Sequence, residues 1–169
     1  MANVGEITLK GARILNRDFA GSKFGPQARQ FSVLIDDPEL QDQLRRDGVK
    51  LWISDYTVDD EPPKAYLNVR VDFRFDDVDI AGINADGKAF VFNEGNVHEL
   101  DKAWIKDSEM HIKLNSYESH GRKGVSAYCK TLIVWFMSAE EREAIMAERG
   151  NPNNPVREKY KDIFNKRND

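Results

Sequence analysis

Alternating apolar and polar residues dominate the first three quarters of the chain. The pattern is clearest in AYLNVRVDF (65–73), where Leu67 and Val69 take one face while Tyr66 and Arg70 take the other. Alternation of this kind predicts a β-strand with one face in the core and the other toward solvent. The outer face of this strand would carry an unusual mixture of aromatic, amide and cationic side chains.

Several further runs predict strands, most of them bounded by Gly, Asp or Asn, which favour turns. They are EITLKGARIL, QFSVLI, KLWIS, IAGINADGKAFVF, MHIKLNSY and VSAYCKTLIVWF. In the first of these runs the apolar phase changes at Gly11. A glycine at a phase change predicts a β-bulge at that position.

Three segments carry helix signals. Segment 37–48 begins with Asp37 as an N-cap, followed by proline, and ends at Gly48. Segments 96–105 and 138–150 each begin with a capping residue that has a glutamate three positions later, which is the capping-box spacing. Short helices are therefore expected between strands and after the last strand.

Many short strands with one or two intervening helices predict a mainly β domain over residues 1–137, either an OB-fold-like small barrel or a compact sandwich. A helical C-terminal extension is expected over 138–169, with a linker near 150–155 where NPNNP cannot continue a helix. The final segment has apolar residues at helical spacing, which are Tyr160, Ile163 and Phe164.

Composition narrows the protein class. The chain has 169 residues, 40% of them hydrophobic, a formal net charge of −4 and a pI of about 5.5. Any nucleic-acid site must therefore be a local basic surface on an acidic molecule. A single cysteine, Cys129, excludes an internal disulfide, and neither a signal-like start nor an apolar span of membrane length is visible. We expect a protein of the cytoplasm, the host cytoplasm if a phage encodes it, without membrane contact.

Enzyme motifs are missing from the sequence. There is no phosphate-binding G-x-x-x-x-G-K-[ST] and no H-E-x-x-H, and the three histidines have no metal-ligand spacing with one another or with Cys129. Acidic pairs such as Asp59 and Asp60 are adjacent, so on a strand they would point to opposite faces. The sequence therefore predicts a protein that is not an enzyme, with no catalytic residue, metal or cofactor.

Cations and aromatic rings are distributed unevenly. Residues 10–31 contain five cations and one acid, and residues 121–130 contain three cations and no acid. Single-stranded nucleic acid is bound by cations that follow the phosphates and by rings on which bases stack. Tyr66 and Arg70, together with Tyr128 and Lys130, lie in the outer phase of their strands and have this chemistry.

The order and spacing of these segments resemble a known family. The runs KGARILNRDFAG…ARQFSVLIDD, YLNVRVDF, LDKAWI and MHIKLNSYESHGRKGVSAYCKTLIV look like the small OB-fold single-stranded-DNA-binding proteins of tailed bacteriophages. The resemblance covers roughly residues 4 to 136 and is most specific in the turn 16–21, at Arg29 and Phe31, and in G-x-x-A-Y-x-K ending at Lys130. It implies a non-catalytic OB-fold protein that coats single-stranded DNA in phage replication and recombination, with little sequence preference.

The leading hypothesis names eleven binding residues. Bases would stack on Tyr66, Tyr128, Trp52 or Phe19, and phosphates would contact Arg13, Arg17, Lys23, Arg29, Arg70, Lys123 and Lys130. One alternative is a β-rich protein-interaction or virion-assembly module without a nucleic-acid role. Another is a nucleic-acid enzyme whose site is too dispersed to recognise. The sequence does not rank single-stranded DNA, single-stranded RNA and duplex as ligands.

Protein partners are expected at the C-terminal extension. Proteins of the resembling class commonly end in a strongly acidic tail that recruits replication proteins, whereas REKYKDIFNKRND carries mixed charge. The expected partners are single-stranded DNA, phage or host replication and recombination proteins, and a second copy of the chain docking through the extension.

Overall fold

A computed structural model of the chain describes residues 2–54, 63–149 and 159. The chain divides into two compact units, Met1–Phe136 and Met137–Asp169. The expected linker at 150–155 and the apolar triplet of the final segment lie outside the described residues. Within the described ranges, no helix is both long and apolar enough to cross a membrane.

The first unit is built from strands with short helices between them. The strands are β1 (Ala2–Lys10), β2 (Ile14–Asp18), β3 (Arg29–Ile35), β4 (Trp52–Ile53), β5 (Ala65–Val71), β6 (Asp79–Ile83), β7 (Ala89–Phe92), β8 (Ile105–Ser119) and β9 (Arg122–Phe136). The helices are α1 (Pro38–Arg46) and two 3₁₀ helices, Pro26–Ala28 and Val97–Asp101. The second unit contains α2 (Ala139–Arg149).

The strands form one mixed sheet in the order β1-β8-β9-β5-β3-β2, with β4 paired to β5 and the β6–β7 hairpin paired to β9. The two end strands of this path, β1 and β2, are consecutive in the chain and are separated only by residues 11–13. The described ladders leave the sheet open and do not close it into a barrel. The mainly β, OB-like class predicted from the sequence is confirmed in this open form.

Gly11 is a strand break and not the bulge that the phase change predicted. It adopts a φ of 66°, in the left-handed region that favours glycine. The strand before it pairs with β8, and the strand after it pairs with β3. The apolar phase changes because the chain moves from one neighbour to another at this point.

The alternation read from β5 agrees with its burial. Leu67 and Val69 are buried in the core, Tyr66 is half-buried and Arg70 is exposed. The inner faces of β3, β8 and β9 supply the rest of the core around them, with buried residues such as Val33. The phase of β5 therefore fixes which side chains reach the surface of the sheet.

Two of the three predicted helices form as expected. Asp37 caps α1 by accepting a hydrogen bond from the backbone N–H of Glu39 at 3.0 Å. Ser138 and Glu141 form a reciprocal capping box at the start of α2, with Glu141 N–H donating to Ser138 Oγ at 3.1 Å. The helix predicted over 96–105 is wrong, because only the five-residue 3₁₀ helix Val97–Asp101 forms and β8 begins at residue 105.

Candidate nucleic-acid interface

The outer face of β5 brings two aromatic rings to one surface. Trp52 of β4 pairs directly with Tyr66 of β5, and Leu34 of β3 pairs with Tyr66 from the other side. Directly paired residues of antiparallel strands have their side chains on the same face of the sheet. Trp52 is 56% exposed and Tyr66 is half-buried, so both rings are accessible from solvent.

Three cations accompany these rings. The Nζ of Lys50 lies 4.8 Å from the centre of the Trp52 ring, in cation–π geometry. Lys64 is exposed two residues before Tyr66, and Arg70 is exposed four residues after it. We call the surface made by Lys50, Trp52, Lys64, Tyr66 and Arg70 the β5 strip.

Neutral polar groups line the middle of the β5 strip. Asn68 is half-buried between Tyr66 and Arg70 on the outer face and pairs in register with Ser32. Its Nδ2 donates a hydrogen bond to Gln30 Oε1 at 2.9 Å. Among the described residues, this surface therefore combines cations, rings and amides.

Two loops bracket the β5 strip. β9 runs parallel to β5, with Arg70 beside Tyr128, so the β8–β9 hairpin tip lies beyond the N-terminal end of β5. The tip turns at His120 and Gly121, both with positive φ, and carries exposed Lys123 on its return strand. The loop 19–28 lies at the opposite end, because it leads into β3 where β3 pairs with the C-terminal end of β5.

This arrangement matches the usual OB-fold binding surface. OB-folds bind oligonucleotides on the face of their second and third strands and with the loops that follow the first and fourth strands. When β1 and β2 are counted as one bent strand, those elements are β3, β5, the loop 19–28 and the β8–β9 hairpin tip. The β5 strip lies on that face.

Two carboxylates hold the loop 19–28 in place. Asp18 is buried and accepts hydrogen bonds from the N–H and Oγ–H of Ser22, at 2.9 and 3.0 Å, and from the N–H of Lys23 at 3.2 Å. Burial alone would raise the pKa of Asp18, but these hydrogen bonds outweigh it and lower the pKa. Asp101 accepts the backbone N–H groups of residues 19 and 20 at 2.7 and 3.0 Å.

The same loop presents a ring and a cation to solvent. Phe24 is 73% exposed and Lys23 beside it is exposed. Gly21 has a φ of 70°, and a Cβ there would lie 2.6 Å from the carbonyl oxygen of Gly25. Only glycine fits this tight turn, which sets the direction of the loop tip.

Eight of the predicted binding residues are exposed or half-buried. Arg13, Lys23, Trp52, Arg70 and Lys123 are exposed, and Tyr66, Arg17 and Lys130 are half-buried, the last two in contacts described below. Trp52, Tyr66 and Arg70 belong to the β5 strip, and Lys23 and Lys123 lie on its two flanking loops. Arg13 lies apart from them, between β1 and β2, where its carbonyl accepts the N–H of Leu34.

Phe19 is a core residue and not a surface platform. It is fully buried and stacks on Phe31 with ring centres 5.3 Å apart. A base could stack on Phe19 only if the core opened. Phe19 follows β2 directly, so the sequence pattern places it in a surface loop. In the structure this loop turns the Phe19 ring into the core.

Arg17 and Arg29 have structural contacts in place of the predicted phosphate contacts. Arg17 Nη1 donates to the carbonyl oxygens of Leu100 and Ala103 at 2.8 and 2.7 Å, and burial lowers the pKa of this guanidinium. These bonds tie the last turn of the 3₁₀ helix and the residues after it to β2. Arg29 is 7% exposed and pairs with Glu94 at 3.3 Å. Neither side chain faces the β5 strip.

Tyr128 and Lys130 lie in the outer phase, but both are engaged. Tyr128 is 7% exposed because Phe75 packs edge-on against it, with ring centres 5.2 Å apart. Lys130 Nζ lies 3.3 Å from Glu6 Oε1, and the other oxygen of Glu6 bonds His111 at 2.9 Å. Tyr128 is therefore not the open platform that its strand phase predicts.

Three surface residues of this region were missed by sequence reasoning. Lys50 and Lys64 each lie two positions before a predicted ring, so period-2 alternation alone could have placed them on the face of Trp52 and Tyr66. Phe24 gives no periodic signal, because it lies in a loop between two glycines.

Comparison with known families gives one match over almost the whole chain. The sequence model of the family described as "Putative phage ssDNA-binding domain" matches residues 1–166. No curated protein matches the sequence significantly.

Several solved structures align with this chain at low sequence identity and with TM-scores below 0.5. The single-stranded DNA-binding protein of bacteriophage Enc34 in complex with ssDNA matches over 79% of this chain and 88% of that chain, with 13% identity and a TM-score of 0.48. Its C-terminally truncated form matches over 79% and 87%, with 13% identity and a TM-score of 0.46. The protein gp2.5, a single-stranded DNA-binding protein encoded by bacteriophage T7, matches over 79% and 93%, with 10% identity and a TM-score of 0.41.

Proposed function

This chain belongs to the phage ssDNA-binding domain family, and we propose that it coats single-stranded DNA through the β5 strip during phage DNA replication and recombination. The observation that carries this proposal is the pair of accessible rings at Trp52 and Tyr66, with Lys50, Lys64 and Arg70 around them. Rings and cations on one open sheet face are the two components that single-strand binding requires.

Stacking supplies the contact with the bases. Each base on an exposed ring contributes roughly 1 to 3 kcal/mol and does so for any base, because every base has a π-face. Trp52 and Tyr66 would hold one base each, and Phe24 on the loop 19–28 is a third accessible ring. Binding through ring faces predicts little sequence preference.

The cations follow the phosphates. Lys50, Lys64 and Arg70 flank the rings, while Lys23 and Lys123 extend the positive surface onto the two loops. An OB-fold of this kind covers about 4 to 16 nucleotides. β5 spans seven residues, or roughly 20 Å at the usual rise per residue, so the strip itself accommodates the central part of such a site.

Further parts of the functional assignment follow from the family and the sequence. We propose that the protein acts without catalysis or cofactor and works in the host cytoplasm. Its binding domain would be residues 1–137, and the extension 138–169 would meet replication or recombination proteins or a second copy of the chain.

Tryptophan fluorescence tests the assignment of the site. Titration with oligo-dT is expected to quench the emission of Trp52, and the variant Trp52→Phe should lose most of this quenching while it still binds. Trp104 and Trp135 are both half-buried and serve as internal references. Quenching that persists in Trp52→Phe would place the bound strand elsewhere, and no binding of oligo-dT by the wild-type protein would contradict the function itself.

A further inference from the structure

A connecting segment covers part of the outer sheet face beside the β5 strip. Residues 72–78 run from the end of β5 to the start of β6 and place Phe75 against Tyr128, with an interplanar angle of 84°. Asp77 of the same segment lies over Lys113 of β8. We call residues 72–78 the crossover.

Lys113 is held by two crossover side chains. Its Nζ lies 3.1 Å from Asp77 Oδ1 and 3.8 Å from the centre of the Phe75 ring. The lysine is 9% exposed, so these contacts replace water around its charge. The hydrogen bond and charge of Lys113 also lower the pKa of Asp77, which keeps that carboxylate ionised as a partner.

The covered residues continue the β5 strip across the sheet. Arg70 pairs in register with Tyr128, and Tyr128 pairs with Lys113, so the three side chains form one row on the outer face. Val69 and Ala127, one position earlier in the same register, are both buried in the core. The row is exposed at Arg70 and covered beyond it.

The crossover occupies both groups that a nucleotide would contact there, the ring of Tyr128 and the charge of Lys113. An aromatic ring covers Tyr128 edge-on, at the place where a base would stack, and a carboxylate pairs with Lys113, as a phosphate would. The crossover also carries exposed Asp76 and ends beside exposed Asp79. With the crossover in place, this negative charge would repel a DNA strand that continued past Arg70.

We propose that Tyr128 and Lys113 form an additional nucleotide subsite, which Phe75 and Asp77 fill in the free protein and which single-stranded DNA occupies by displacing them. This inference rests on the proposed function, since it extends the β5 strip. Asp72 is 8% exposed and Phe73 packs against the core, so the beginning of the crossover stays on the sheet and displacement is confined to residues 75–78. Binding of a long strand therefore has to overcome the contacts of the crossover.

Two neighbouring aspartates allow a matched test. Asp77→Asn and Asp76→Asn each remove one negative charge from the crossover, but only the first removes the partner of Lys113. The apparent affinity is the intrinsic affinity multiplied by the fraction of protein whose crossover is displaced. Asp77→Asn weakens the crossover contacts and raises this fraction, so the affinity for a long oligo-dT should rise about three- to tenfold. Asp76→Asn should change it by less than about twofold, since a single exposed charge acts through solvent. Equal gains in affinity in both variants would show that only the loss of a negative charge matters, and this result would overturn the proposal.

A second variant identifies the subsite itself. In the Asp77→Asn background, Tyr128→Ala should abolish the gain in affinity, with thermal unfolding used to confirm that the variants fold. A gain that survives Tyr128→Ala would overturn the subsite.

Hydrogen exchange of the wild-type protein tests the displacement without any substitution. Backbone amides of 75–78 are expected to lose protection when oligo-dT binds, and unchanged or increased protection would overturn the proposal. These outcomes differ from failure of the proposed function, which would appear as no binding of oligo-dT by the wild-type protein.

Discussion

Two accessible rings, Trp52 and Tyr66, provide the most direct residue-scale test of the interface. Replacing either by alanine should weaken binding of oligo-dT by roughly 1 to 3 kcal/mol through lost stacking. Folding stability should change little, because Trp52 is 56% exposed and Tyr66 lies on the outer face. Isothermal titration and thermal unfolding of each variant measure the two effects separately.

Val69 is the matched control on the same strand. It is fully buried, so Val69→Ala should destabilise the fold by roughly 1 to 3 kcal/mol while binding per folded molecule is retained. If Tyr66→Ala unfolded the protein and Val69→Ala weakened binding, the assignment of the two faces of β5 would be inverted.

Two arginines separate a binding role from a structural one. Arg70 is exposed on the β5 strip, so Arg70→Gln should make the slope of log K against log salt less negative by about 0.7, the value for one phosphate on a single strand. Arg17 bonds two backbone carbonyls, so Arg17→Gln should lower folding stability by roughly 1 to 3 kcal/mol and leave the salt slope unchanged. Salt titrations and urea unfolding of both variants check the assignment, which an altered slope in Arg17→Gln would refute.

The phase of a strand could be read from the sequence, whereas the covering of its outer face could not. Alternation placed Tyr66 and Arg70 correctly because both depend only on the period of β5. The same rule put Tyr128 on the outer face, where it lies, but a crossover more than fifty positions earlier in the chain covers it. Arg29 failed for a different reason, because it lies in the buried phase of β3 with Phe31 and Val33, where Pro26 and Glu94 hold its guanidinium.

At the scale of elements, the loop 19–28 depends on the ionised form of Asp18. The folded-state pKa of Asp18 is depressed, so its contribution to stability is present above the unfolded pKa of about 3.9 and is lost as the pH falls through the lower folded value. Asp18→Asn should cost roughly 1 to 3 kcal/mol at pH 7, because hydrogen bonds to a buried charged acceptor are weakened. Urea unfolding at pH 7 and near pH 3 should show the gap between variant and wild type shrinking at the lower pH. A gap of constant size would mean that the carboxylate charge does not hold the loop.

Element boundaries were predictable where local chemistry decides them. The N-cap at Asp37 and the capping box at Ser138 are local signals, and both helices begin where these signals place them. The segment 96–105 carries the same capping-box spacing but forms only a five-residue 3₁₀ helix. Its carbonyls at Leu100 and Ala103 bond the guanidinium of Arg17, a tertiary contact that propensity does not contain.

At the scale of the whole molecule, the second unit is expected to act between molecules. The sequence places Tyr160, Ile163 and Phe164 at helical spacing, and the short helix that this spacing predicts would be marginal in water unless its apolar side docked. Deleting residues 151–169 should leave the affinity for a short oligonucleotide within about threefold. Loss of even one base contact would cost roughly 1 kcal/mol or more, which is a larger change than threefold. Sedimentation and binding to long strands should show altered oligomeric state, cooperativity or partner recruitment. A large fall in intrinsic affinity with unchanged mass would place the segment in the binding site.

The acidic charge of the whole molecule makes its salt dependence informative. With a net charge of −4, attraction to DNA has to come from the local cations of the strip and its loops. The net charge follows directly from the sequence and shows that the protein is not basic over its whole surface. It could not show that Lys50 and Lys64 lie beside exposed rings, because that depends on the pairing of β4 with β5.

The measurement that tests the central claim most directly is the equilibrium affinity for single-stranded and duplex DNA of equal length over a series of salt concentrations. About four phosphates engaged by the strip and its loops predict a slope of log K against log salt near −3 for the single strand. Base stacking predicts clearly weaker binding of the duplex, whose paired bases cannot reach Trp52 and Tyr66. Equal affinity for both forms, or a slope near zero, would contradict single-strand binding through the β5 strip.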